Sequence, residues 1–99
     1  MAKKDFKVHI LGVPFRVLTE SPSDWSENGM GRCCVKTQTI RINKNMPPEN
    51  RNKVLLHEII HAIADENGIG LTETQTSVLA TGLFAFLRDN PKIVTKIIA

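Results

Sequence analysis

The chain has no tyrosine, one tryptophan, only two cysteines, and no apolar run approaching the roughly 18 residues that a membrane-crossing helix requires. The start, MAKKDFKV, carries lysines but no apolar core of a secretory signal. The expectation is a cytoplasmic protein. Cys33 and Cys34 are neighbours, and the small ring they would close strains the peptide between them, so no disulfide is expected. Reduced thiols suit the cytoplasm. The pair also lacks the two-to-four-residue spacing of thiolate zinc sites, which leaves it the role of small residues at a strand end. An excess of one charge is missing too: thirteen Lys and Arg face ten Asp and Glu, net +3. The basic residues (Lys3, Lys4, Lys7, Arg16, Arg41, Lys44, Arg51, Lys53) are dispersed rather than gathered into a stripe, so nucleic acid is not an expected partner. With 41% hydrophobic and 23% charged residues, the 99-residue chain reads as a single domain over 1–99, a monomer or weak oligomer with room for one core and one site.

Residues 5–20, DFKVHILGVPFRVLTE, contain two β-rich runs divided at Gly12-Val13-Pro14, with Val8/Ile10 and Phe15/Val17 at period two, which predicts a hairpin. SPSDWSENGMGR reads as a loop carrying Trp25. CVKTQTIRINKN alternates again through Val35, Ile40 and Ile42, a third strand or second hairpin ending near Asn43. Pro47 and Pro48 pre-set the first turn of a helix, Glu49 complements its dipole, and Val54, Leu55, Ile59 and Ile63 recur at helical spacing until Gly68. Thr72 with Gln75 forms a capping box for a second helix, whose apolar residues Val78, Leu79, Leu83, Phe86 and Leu87 run to Asp89 before Asn90-Pro91 breaks it. KIVTKII makes a short third helix. Sheet first and helices after is an α+β fold.

The chemistry concentrates in LLHEIIHAI. Positions i and i+4 of a helix lie on one face, so His57 and His61 can converge on one ion. Glu58 sits roughly 100° round from His57, outside ligand reach but within reach of a water on that ion, the placement of a general base. Two histidines and a carboxylate turned inward without such a role would be costly to bury unpaired. A third ligand is required. Glu73 at the start of the second helix is one candidate, since a helical hairpin turning at Gly68–Gly70 brings it back beside the first helix. Asp65, one turn beyond His61, is its rival, or else holds an imidazole by its other nitrogen. Gln75 is accounted for by the cap. His9 alternates with Val8 and Ile10 and is expected to face solvent. The missing tyrosine removes one donor for a developing oxyanion.

The segments ILGVPFRV, MGRCCVKTQTIRINKNMPPENRNKVLLHEIIHAI and GIGLTETQTSVLATGLFAFLRDNP, spanning Phe6 to Pro91, resemble small phage and prophage HExxH proteins related to ImmA/IrrE-type metallopeptidases. The resemblance implies a minimal zincin-like fold: a small N-terminal antiparallel sheet, the HExxH helix, and a second antiparallel helix. It implies Zn²⁺ held by His57, His61 and Glu73, with Glu58 as catalytic base. It further implies TQTIRI as an edge strand that binds an extended peptide. The chain departs from the pattern at Phe84, where relatives often carry tyrosine, and at Cys34, where they often carry an acid. The function implied is a zinc-dependent peptidase that cleaves a host or phage protein through metal-activated water, in the host cytoplasm. The alternative is a zinc-stabilised interaction module without catalysis.

Overall fold

The computed structural model describes residues 5–21 and 30–99, so the expected loop around Trp25 lies largely outside it. Within those residues the order is β1 (Phe6–Ile10), β2 (Val13–Glu20), β3 (Gly31–Cys34), β4 (Thr39–Asn43), α1 (Pro48–Glu66), α2 (Glu73–Asp89) and α3 (Pro91–Ile98). This is the expected α+β arrangement of sheet before helices. The first hairpin turns one residue earlier than the Gly12-Val13-Pro14 signal suggests: Leu11 and Gly12 take positive φ of 53° and 80°, the two-residue turn whose twist suits paired strands. Val13 and Pro14 therefore join β2, with Pro14 opposite His9.

The sheet order is β1-β2-β4-β3. The sheet is mostly antiparallel, as expected, with one parallel pairing. β1/β2 and β3/β4 are antiparallel hairpins, but β2 and β4 run parallel, Val17 opposite Ile40 and Thr19 opposite Ile42. The second hairpin has swung round so that its later strand joins the sheet. That corrects the role expected of TQTIRI. Its strand, β4, is paired on both sides; among the described residues the edges are β1 and β3, and Gly31 and Arg32 open β3 rather than end a loop.

Alternation puts Ile10, Phe15, Val17, Ile40 and Ile42 on one face, where they form the buried core with Val54 and Ala62 of α1. Helix α1 starts on Pro48 and stops through a Schellman arrangement: Gly68 at φ 71° donates to the Asp65 carbonyl at 3.0 Å and Ile69 to that of Ala64 at 2.8 Å. Its inward stripe is Val54, Glu58 and Ala62 with Leu55 and Ile59 alongside; Ile63, expected on that stripe, is 41% exposed. Helix α2 departs further. It buries only Thr76 and Ala80, while Val78, Leu79, Leu83, Phe86 and Leu87 stand on the surface. Thr76 can be buried because its hydroxyl donates to the Thr72 carbonyl at 2.8 Å, and two small side chains let α2 lie close along α1.

Candidate metal centre

The α1–α2 hairpin brings the two ends of the motif together. The Thr72 hydroxyl accepts from the Gln75 amide at 3.0 Å and the Gln75 side chain accepts from the Thr72 amide at 2.9 Å, so the first turn of α2 is pinned and Glu73 is its first residue. From there Glu73 reaches back to the middle of α1. Its Oε1 lies 3.1 Å from His57 Nε2 and its Oε2 lies 2.7 Å from His61 Nε2. The two imidazoles, one helical turn apart, meet edge-on with ring centroids 4.8 Å apart. One ligand atom from each of His57, His61 and Glu73 lies within 4.8 Å of the others. Donors around a tetrahedral ion with bonds of 2.0–2.1 Å stand roughly 3.3 Å apart, so these three could hold a metal ion after small side-chain shifts. Two neutral nitrogens and one carboxylate are a donor set suited to a borderline divalent cation such as zinc.

Of the rival acids, Asp65 lines the same cavity but stays outside the converging group, and no hydrogen bond links it to either imidazole among the described residues. His9 is exposed on β1, away from the site. Phe84 lies between the Lys53 ammonium, 5.9 Å from its ring centre, and the Arg88 guanidinium at 5.4 Å, and lines no wall of this cavity.

Glu58 faces inward from the same helix and is 6% exposed. Burial pushes its carboxyl up to about 7, with the Glu73 charge adding to the rise and His61 opposing it. Burial also works against ionisation of Glu73, but its hydrogen bonds to His61 and His57 outweigh that and hold its carboxyl below the ordinary range. The two carboxylates are thus driven apart, one to stay charged between the imidazoles and one to exchange a proton near neutrality.

Over this floor the edge strand β3 forms a wall. Gly31 is there for space: a Cβ on it would lie 2.6 Å from Val54 Cγ1 and 3.1 Å from Glu58 Oε2. The resulting open cavity, about 650 Å³, is lined by Arg32 and Cys33 of β3, by the motif residues of α1, and by Glu73 and Ser77 of α2. Burial, reinforced by the charges of Glu58 and Asp65, pushes the Cys33 thiol up to about 12, so it is a protonated wall group rather than a thiolate. Cys34 points outward, its thiol lowered by hydrogen bonding to Thr37. Arg32 and Ser77 were invisible as site residues in the sequence, where each is one ordinary polar residue in a loop or helix; the β3 edge and the tilt of α2 select them. No helix among the described residues is long and apolar enough to cross a membrane.

Residues 4–84 match the family model of the IrrE N-terminal-like domain, Peptidase_M78. The match takes in the motif helix, Glu73 and Ser77. No curated protein and no solved structure matches the chain.

Proposed function

The chain belongs to the Peptidase_M78 family, and on that premise we propose that it is a zinc-dependent peptidase acting on a protein of a phage or its host. The observation that carries this reading is the convergence of His57 Nε2, His61 Nε2 and both Glu73 carboxylate oxygens beside a buried Glu58 in an open cavity. His57, His61 and Glu73 would hold the ion. When bound there, zinc supplies Lewis acidity, which polarises a peptide carbonyl and lowers the pKa of a water.

The chain's own groups do the rest. The Glu58 carboxylate takes the proton of the attacking water and delivers it to the leaving nitrogen; its burial on the helix that carries His57 and His61 places it for both transfers. Ser77, on the α2 side of the cavity, offers a hydroxyl that can stand in for the phenol this chain lacks as a donor to the oxygen on which charge develops. Among the described residues the outer side of β3 pairs with no strand and borders the cavity, so it can take the substrate as an added strand.

The test is Glu58→Gln. Zinc content measured on the purified variant is expected to stay at one ion per chain, while cleavage falls on the order of a hundredfold or more, the scale of a lost general base. A variant that turns over at the wild-type rate overturns the mechanism. Zinc that stays bound to wild-type protein cleaving nothing would leave the ion as a staple between two helices.

A further inference from the structure

Beside the metal centre a second, smaller hollow of about 290 Å³ opens between α1 and α2, and His57, Ser77 and Val54 are part of both. Its size falls at the bottom of the range for ligand sites, room for a side chain rather than a whole small molecule. Because the two cavities share His57, a peptide whose carbonyl sits at the ion would place a neighbouring side chain at the mouth of the hollow. The lining chemistry differs between the two. Glu58, Asp65 and Glu73 make the larger cavity acidic. Among the described residues the smaller has no acidic residue on it: Val54 and Ala80 give it an apolar floor, Asn50 and Thr81 neutral hydrogen-bonding groups, and Lys53 a cation. The natural helical partner of that cation is taken. Glu49, one turn back, gives its carboxylate to Arg88 at 2.9 Å. Lys53 rests instead against the Phe84 ring, with no carboxylate in ion-pair range among the described residues.

The geometry points to this hollow as the subsite for the substrate side chain next to the cleaved bond, selecting Asp or Glu, with Lys53 as the residue that sets the preference. The inference rests on the peptidase reading and names its substrate class. A carboxylate entering the hollow passes Asn50 and Thr81 and meets the ammonium that Glu49 leaves free; a cationic side chain meets like charge.

The test uses zinc-loaded protein and a library of end-blocked random peptides, with products read by mass spectrometry and Glu58→Gln as the blank. Wild type is expected to enrich Asp and Glu on the order of fivefold at one position flanking the cut, the scale of a partly exposed ion pair. K53M is expected to lose that enrichment, and K53E to replace it with Lys and Arg at the same position, both at wild-type zinc content. A readout without turnover follows: the Glu58→Gln protein should bind, by fluorescence anisotropy, a labelled peptide with Glu at that position on the order of fivefold more tightly than its Lys counterpart, the order reversing when K53E is added. Cleavage with an apolar preference, with none, or with one that K53E leaves unchanged overturns the acidic subsite and leaves the peptidase standing. Zinc-loaded wild type that cuts no peptide overturns the peptidase reading and this one together.

Discussion

At the scale of single residues, Gly31 and Glu58 show how closely the edge strand and the motif helix are fitted. Adding one methyl at position 31 places a carbon 2.6 Å from Val54 Cγ1 and 3.2 Å from the Arg41 carbonyl oxygen, so either Val54 or the whole strand must move. Gly31→Ala is expected to cost about 1–3 kcal/mol in a denaturant titration, the usual penalty of overpacking, and Gly31→Ala with Val54→Ala to cost less than the two single changes summed. Additive costs would show that the strand yields freely. Glu58 makes a prediction with a definite sign in metal-free protein. Its carboxyl is raised from 4.5 to about 7 in the fold, so the folded state holds the proton that the unfolded state has lost. Its stabilising effect is therefore full below pH 4.5 and is lost as pH rises through 7, a change of about 3 kcal/mol. Comparing unfolding of metal-free wild type and Glu58→Gln between pH 4.5 and 8 should show the wild type losing ground steadily; parallel curves would contradict the burial of the charge. Nothing in the letters HEIIH announces this shift. The motif tells that a glutamate stands beside two histidines, but the desolvation comes from Gly31 and β3, residues far away in the chain.

At the scale of elements, α2 separates what periodicity can say from what packing does. Its sixteen residues after Glu73 include no charge from Thr74 to Leu87, and the apolar ones recur at helical spacing, so helix and length are legible from the sequence. The buried side is not. The helix meets α1 through Thr76 and Ala80, and its larger apolar residues look outward, Val78 at 66% exposure. Leu83→Gln is expected to shift stability by less than about 1 kcal/mol, whereas Ala80→Leu, forcing the helices apart, should cost about 1–3 kcal/mol. The reverse ranking in thermal or urea unfolding would place the α1–α2 contact on the leucine face. The same close approach of α2 to α1 through small residues accompanies the Glu73 carboxylate lying 3.1 and 2.7 Å from His57 and His61.

At the scale of the whole molecule, the proposed ion would tie the sheet-packed helix α1 to the more lightly attached α2. A ligand that binds only the folded chain stabilises it by mass action, about 2.7 kcal/mol at a hundredfold excess over Kd. Stripping the metal with a chelator should therefore lower the melting temperature, and re-adding zinc should restore it. His61→Ala should melt at one temperature with or without zinc. A wild-type melting point indifferent to zinc would remove the metal from the fold and the proposed function together. The sequence by itself determined the parts that depend on near neighbours: the first hairpin from alternation, α1 from Pro48 to its Gly68 stop, the Thr72–Gln75 cap, His57 and His61 on one face, and Glu73 in the first turn of α2. Those signals repeat every two or every three to four residues and need no knowledge of the rest of the chain. The tertiary structure alone decided that β2 and β4 pair in parallel, that among the described residues β3 rather than TQTIRI lies at the edge beside the site, that Glu73 and not Asp65 completes the converging group, and that α2 turns its small residues inward. Each of these is a choice between surfaces of similar local pattern. It is settled by which face another segment reaches and how near it can come.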